Sequence, residues 1–414
     1  MLDIKFIREN PEKIKEACQK KQVNVDVDKL LELDKKKREL QTASETLKAE
    51  QNKISKQKGL GEAEITKAKE IKEKIREIES EFKNLENEIY DLMSRIPNIP
   101  FDDVPVGKDD SENVVLRKIG KIPNFKFQAR NCMAIGEMLD IIDTARAAKV
   151  AGARFGYLKN GAVLMEFALV KLVFDLLLKK GFTPILPPVM LKEEMARGTG
   201  YFEAGDKDDA YFLPQDNMFL TGTSEQSLIA MHANETFADK DLPKRYVAFS
   251  TCFRREAGAY GKDTKGILRV HQFDKLEMVI FSKPEDSKKE HQLLLSIEEQ
   301  LMKLLKLPYQ VIKICSGDLG RPAAAKYDIE AWIPSENKYR ETHSTSNCTD
   351  YQARRLNIRC KDKTGKLNFV HTLNGTAFAI GRILIAIIEN HQQKDGSVKV
   401  PKVLQKYTGF KVIK

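Results

Sequence analysis

The chain has 414 residues, enough for two or three domains, and 42% of them are hydrophobic, an ordinary share for a globular protein with a sizeable core. A formal net charge of +10 favours an anionic partner such as a nucleic acid or a nucleotide, although a mild excess of lysine also suits a solvated surface. The charged start Met1-Leu2-Asp3-Ile4-Lys5 lacks the apolar stretch of a secretory leader, and the apolar run at 380–388 is too short to span a bilayer. Cys18, Cys132, Cys252, Cys315, Cys348 and Cys360 show neither C-x-x-C nor zinc-finger spacing, so the expectation is a cytoplasmic protein with reduced thiols and no membrane contact.

The N-terminal stretch is rich in Lys and Glu, with Pro11 its one proline before Pro97. Ile71, Ile75, Ile78, Phe82, Leu85, Ile89, Leu92 and Ile96 alternate spacings of four and three, the a/d heptad of a coiled coil. Leu33, Leu40, Leu47 and Ile54 recur every seven residues upstream, but the other seam positions are Lys, Ala, Ser or Glu. Asp26 or Asp28 can cap this first helix. Gly59-Leu60-Gly61 is too short for anything but an antiparallel hairpin. Each helix has about 28 residues, so the arm reaches about 42 Å at 1.5 Å per residue. Such an arm suits dimerisation or spacing as well as a grip on an anionic target, which Lys53, Lys56 and Lys58 near its tip would favour. Pro97 and Pro100 end it.

The body has a different texture. An amphipathic helix is expected at 161–180, followed by Gly181-Phe182-Thr183-Pro184-Ile185-Leu186-Pro187-Pro188. Residues 246–253 and 269–281 read as an antiparallel strand pair joined by a loop holding Gly258, Gly261 and Gly266. Further strands are expected at 309–315, 327–333 and 369–372. This order favours an α+β fold, a mainly antiparallel sheet flanked by helices, and no phosphate-binding glycine motif stands in strand–turn–helix context.

Three segments can carry chemistry. Arg254 and Glu256 share a face if both lie on a strand, as do Phe273, Lys275 and Glu277 on the returning one. A guanidinium, carboxylates and an aromatic ring on one surface suit a nucleotide and a small zwitterion, or a plain salt-bridged face. In Arg340-Glu341-Thr342-His343-Ser344, the oxygens of Glu341 and Ser344 suit Mg²⁺. His343 reads as structural, since nothing pairs it with a nucleophile. The segment Thr372-Leu373-Asn374-Gly375-Thr376-Ala377-Phe378-Ala379-Ile380-Gly381-Arg382 reads as a strand entering a tight turn before a helix that presents Arg382.

Taken in order, residues 181–188, Cys252-Phe253-Arg254-Arg255-Glu256 and 374–382 resemble the three signatures of class II aminoacyl-tRNA synthetases. Leu220-Thr221-Gly222-Thr223-Ser224-Glu225, Val270-His271-Gln272-Phe273, residues 340–344, Tyr351-Gln352-Ala353-Arg354-Arg355, Glu389-Asn390-His391-Gln392 and the helical arm narrow the resemblance to the bacterial-type seryl-tRNA synthetases. Ala377, Phe378 and Ala379 depart from family glycines, and Thr345 stands where Cys is frequent.

The resemblance implies a serine–tRNA ligase with an N-terminal domain at 1–103 carrying the arm at about 28–96, a linker at 104–130, and a catalytic domain at 131–414. It implies a serine pocket of Thr223, Ser224, Glu225, Arg254, Glu277 and Thr376. It implies ATP binding by Arg254, Arg255, Glu256, Val270, Phe273, Glu341, Thr342, His343, Ser344 and Arg382, with adenine between Phe273 and Arg382. Arg254, Glu256 and Arg382 would be catalytic, and Glu341 and Ser344 would hold Mg²⁺, with no zinc. Its partners would be ATP, L-serine, tRNA(Ser) and tRNA(Sec), with Lys53 and Lys56 on the RNA and Pro188 in a homodimer interface. A carrier-protein ligase paralogue would share the pocket without needing the arm, and a non-catalytic coiled-coil scaffold would not need Arg254, Glu256, Glu341 and Arg382.

Overall fold

The computed structural model describes residues 1–56, 61–201, 206–257 and 266–414, with the side chains of 206 and 207 left out. It contains two compact units, Met1–Pro97 and Asn98–Lys414.

The first unit is helical. Two short helices, Ile4–Glu9 and Pro11–Lys20, precede α1 (Val27–Ser55) and α2 (Glu62–Arg95). Asp26 caps α1, its carboxylate accepting from the Lys29 amide at 2.9 Å, whereas Asp28 pairs with Lys15 at 2.8 Å. The pairs Lys36–Glu81, Lys37–Glu86, Lys48–Glu79 and Glu50–Lys67 show α1 and α2 running antiparallel. On α2 the heptad positions Ile71, Ile75, Leu85, Ile89 and Leu92 are buried, and Ile96 follows just past its end. Ile78 and Phe82 are half-buried, and the Lys37 ammonium sits 5.0 Å from the Phe82 ring centroid. On α1 nothing is buried between Asp34 and Ile54, as the weaker heptad there predicts. Lys58 and the hairpin turn at 59–60 lie outside the described residues.

The second unit is built on an eight-stranded sheet. Its strands are β1 (Val114–Ile119), β2 (Thr183–Ile185), β3 (Lys244–Phe253), β4 (Gln272–Ser282), β5 (Tyr309–Lys313), β6 (Ala325–Ile333), β7 (Lys338–Asn347) and β8 (His371–Ala379). Their order is β1-β5-β6-β7-β8-β4-β3-β2. Every pair is antiparallel except β2 with β3. Helices α3 (Asn160–Leu178), α4 (Ser224–Ala230), α5 (Ser287–Leu305), α6 (Tyr351–Leu356) and α7 (Ile380–Asn390) accompany it. Apolar faces of α3, α5 and α7 close on the central strands to form one large core. This is the expected α+β architecture.

Three local expectations need correction. The segment 104–130 is not all linker: its one apolar run, Val114-Val115-Leu116, enters β1 and extends the sheet beyond β5. β3 ends at Phe253, so Arg254 and Glu256 do not share a strand face; Glu256 has φ +54°, a left-handed conformation that breaks strand alternation. No tight turn interrupts 374–379, because β8 runs unbroken to Ala379. Gly375 serves close packing instead: a Cβ there would lie 3.0 Å from Glu298 Oε1 and 3.1 Å from Thr345 Oγ1.

All six cysteines are free and buried. No helix among the described residues is long and apolar enough to cross a membrane.

Candidate active site

The sheet gathers the candidate residues from distant parts of the chain. Thr223 is the N-cap of α4, its hydroxyl accepting from the Glu225 amide at 3.3 Å. The cap turns Ser224 and Glu225 inward, and both are buried. Glu225 is held by the Tyr201 hydroxyl at 3.0 Å and the Gln352 amide at 2.8 Å. Burial, followed by the nearby Glu277 charge, pushes the Glu225 carboxyl up to about 7. The Ser224 hydroxyl is buried without a hydrogen-bond partner among the described residues.

Glu277 enters the same site from β4. It lies opposite Ala248 on β3 and Thr376 on β8. The ladder between β4 and β8 shifts at this point: Leu276 faces Phe378 and Glu277 faces Thr376, so Ala377 is an extra residue that brings Thr376 round to Glu277. The Thr376 hydroxyl donates to Glu277 Oε2 at 3.4 Å. Lys275, two residues before Glu277 and on the same face, forms an ion pair with that oxygen and donates to Thr223 Oγ1 at 2.6 Å.

Arg254 follows directly on β3. Its Nε donates to the Gly222 carbonyl at 3.1 Å, and its guanidinium lies 5.4 Å from the Phe273 ring centroid. Its backbone is tied to His271, whose carbonyl accepts the Arg254 amide at 3.0 Å. Glu256 pairs with Arg269 at 2.7 Å, which fixes a carboxylate beside Val270 despite the loss of strand geometry. Arg255 is exposed, with its amide bonded to the Asp209 carbonyl at 2.8 Å. The loop glycines Gly258 and Gly261 lie outside the described residues.

Beyond β8, Arg382 on α7 meets Glu341 on β7, with Nη1 3.1 Å from Oε1 and 3.2 Å from the Glu341 carbonyl. Burial works to raise the Glu341 pKa, but the charges of Arg382 and Lys326 outweigh it and hold the carboxyl at about 2. Ser344 lies opposite Asp328 on β6. Asp328 Oδ1 is buried and has no hydrogen-bond partner among the described residues. An ionised carboxylate, a hydroxyl and this orphaned carboxylate oxygen form a hard-oxygen set, which fits Mg²⁺. Thr342 and His343 point differently: the Thr342 hydroxyl is 2.8 Å from His343 Nδ1, and His343 is buried with its pKa pulled down to about 3 by burial. His343 therefore reads as a neutral structural group, not an acid or base.

Pro188 is exposed, its carbonyl accepting from Ser227 Oγ at 2.7 Å. Lys53 and Lys56 are exposed on the arm. The sequence reading gave no role to Lys275, Tyr201, Gln352 or Asp328. Strand alternation places Lys275 on the face of Glu277, as expected, but does not announce its ion pair there; Tyr201 and Gln352 reach Glu225 from remote segments, a contact with no local signal.

Two family models match the chain. Residues 1–100 match the seryl-tRNA synthetase N-terminal domain, and residues 211–391 match the tRNA synthetase class II core domain (G, H, P, S and T). A serine–tRNA ligase from Dictyoglomus thermophilum is 46% identical over 100% of this chain and 99% of its own length. One from Pyrococcus furiosus is 47% identical, covering 100% and 97%. Similar chains thus come from bacteria and archaea alike. Among solved structures, seryl-tRNA synthetase from Pyrococcus horikoshii complexed with ATP superposes with a TM-score of 0.93 at 44% identity, covering 100% of this chain and 99% of that one.

Proposed function

The chain belongs to the seryl-tRNA synthetases, a class II family of serine–tRNA ligases, and from that membership we propose how its own residues divide the work. One observation supports the division above all: the buried carboxylates Glu225 and Glu277 and the guanidiniums of Arg254 and Arg382 are gathered at one sheet, with Lys275 tying the Glu277 strand to the cap of the Glu225 helix.

Serine occupies the pocket of Thr223, Ser224, Glu225, Glu277 and Thr376, with its carboxylate on Arg254. Adenine lies between Phe273 and Arg382, near Glu256 and the Val270 main chain. The serine carboxylate attacks the α-phosphorus of ATP, the bond to the bridging oxygen breaks, and pyrophosphate leaves. Arg254 neutralises charge on the α-phosphate as the bond order changes, and positioning supplies much of the rest. Glu341 and Ser344 would hold Mg²⁺, which supplies charge neutralisation on the phosphates when bound. The terminal ribose hydroxyl of tRNA then attacks the seryl carbonyl, and AMP leaves. A carboxylate aimed at the serine hydroxyl rejects alanine, because a missing hydroxyl leaves a buried polar group unpaired.

The arm grips tRNA(Ser), with Lys53 and Lys56 on its phosphates, and tRNA(Sec) shares that grip. The protein works in the cytoplasm as a homodimer through the segment ending at Pro188; the exposure of Leu164, Phe167, Leu178 and Leu186 around that segment supports this. Pyrophosphate exchange measured with all twenty amino acids, followed by charging of purified tRNA(Ser), tests the reading. Serine alone should give strong exchange, and exchange led by another amino acid would overturn it.

A further inference from the structure

We propose that Lys275 is the positioning residue of the serine pocket: by holding Glu277 and Thr223 it reserves Glu277 for the hydroxyl of the amino acid and leaves Glu225 to take the ammonium. The inference rests on the pocket reading above and deepens it.

Lys275 is buried on β4, opposite Ser250 on β3 and Ala379 on β8. Both neighbours are small, so the four-carbon stem can lie along the sheet while its ammonium reaches the pocket. There the ammonium forms the ion pair with Glu277 Oε2 and the 2.6 Å hydrogen bond to Thr223 Oγ1. Thr223 caps the helix that presents Glu225. One cation therefore links the strand carrying one carboxylate to the helix cap carrying the other.

The charges then decide the division. Glu277 already faces a buried cation, and a second ammonium placed against it would meet a like charge in a low-dielectric site. A hydroxyl meets no such repulsion and can donate to the anion, as Thr376 does at 3.4 Å. Among the described residues the side chains that donate to Glu225 are neutral, Tyr201 and Gln352. Its proton can be exchanged for the ammonium of the substrate, so the pocket completes its charge balance when the amino acid enters. A buried Lys–Glu pair contributes little to stability against an apolar replacement, which makes a binding role the better reason for this one.

The experiment compares serine and alanine as substrates for ATP–pyrophosphate exchange in Lys275→Met, Lys275→Gln, Lys275→Arg, Glu277→Gln and Glu225→Gln. Lys275→Met and Glu277→Gln should each cut the preference for serine over alanine by about tenfold or more, while KM for ATP stays within about twofold. Lys275→Arg should keep most of the preference. Glu225→Gln should lower kcat/KM for serine and alanine by the same factor, since both carry the ammonium. If Lys275→Met does not fold, Lys275→Gln, which keeps a donor without the charge, takes its place. An unchanged preference in Lys275→Met or Lys275→Gln beside an impaired Glu277→Gln overturns the role of Lys275 but leaves the pocket standing. An equal loss for serine and alanine in the Lys275 variants assigns the residue to structure alone and also overturns it. Full activity in Glu277→Gln overturns the pocket reading itself.

Discussion

Glu341 and Ser344 are three residues apart on β7 yet serve one face of the sheet, because Thr342 is an extra residue in the ladder with β6. Ile329 pairs with His343, and the next residue, Glu330, pairs with Glu341. In a regular strand a spacing of three places side chains on opposite faces. The bulge restores them to one face, and the Thr342 hydroxyl steadies it by donating to the Ile329 carbonyl at 3.2 Å. The same device at Ala377 sets Thr376 against Glu277.

Arg254→Ala should abolish serine-dependent pyrophosphate exchange, with a loss of about a thousandfold, while the protein stays folded. Arg254 joins the Gly222 carbonyl and the Phe273 ring where β3 ends. Exchange rates and a thermal transition measured side by side check this, and near-normal exchange by a folded variant would remove Arg254 from the site.

Replacing residues 33–95 by a short linker should spare adenylate formation and impair the charging of tRNA(Ser). The residues proposed for activation all belong to the unit Asn98–Lys414, and the arm belongs to Met1–Pro97. Pyrophosphate exchange and aminoacylation on the same preparation separate the two steps. Full charging by the shortened protein would refute an RNA role for the arm.

The pH dependence of serine binding should follow Glu225. Its carboxyl, buried and beside Glu277, titrates at about 7, well above the ordinary value of about 4.3. Between those values the native protein holds a proton that the unfolded chain has lost, so this group's contribution to stability falls as pH rises towards 7 and is level above it. Binding runs the opposite way, because the serine ammonium favours the ionised carboxylate. KM for serine should therefore fall as pH rises through about 7, and Glu225→Gln should flatten the profile. A profile unchanged in that variant would assign the titration elsewhere.

Glu298→Met should stabilise the protein by about 1–3 kcal/mol. Glu298 lies fully buried on α5, and neither carboxylate oxygen has a hydrogen-bond partner among the described residues. Burial, with Asp328 and Glu277 nearby, holds its pKa far above the ordinary range, so it folds protonated. The native state then binds a proton that the unfolded chain releases above about pH 4.3, and stability drains away as pH rises. The gain from methionine should be larger at pH 8 than at pH 5 in urea titrations; an equal gain at both would mean the carboxyl is not titrating.

Much of this was legible in the chain. The α2 heptad, the β3–β4 pair and the motif residues Arg254, Glu277 and Arg382 follow from periodicity, alternation and resemblance. What escaped was set by tertiary structure. The turn read at Gly375 is a strand, because the glycine is needed for the approach of Glu298 and Thr345 and not for backbone reversal. Glu256 leaves the strand pattern for a left-handed conformation, which no local preference of glutamate announces. Tyr201 and Gln352 converge on Glu225 from segments far apart in the chain, a relationship that exists only once the sheet is assembled.

The arm is uneven along its first helix. From Lys35 to Lys53, α1 buries no side chain fully: Leu47 is only partly buried against Ile71 and Ile75, and ion pairs to α2 flank the seam. Such pairs contribute about 0–1 kcal/mol each and weaken with salt. Amide protons in that stretch should therefore exchange with solvent sooner than those of α2, and sooner still at high ionic strength. A helix with so few fully buried anchors can shift its side chains, and even its axis, to follow the contour of the RNA that the arm is proposed to grip. The apolar seam of α2 supplies the stiff backing against which that adjustment takes place.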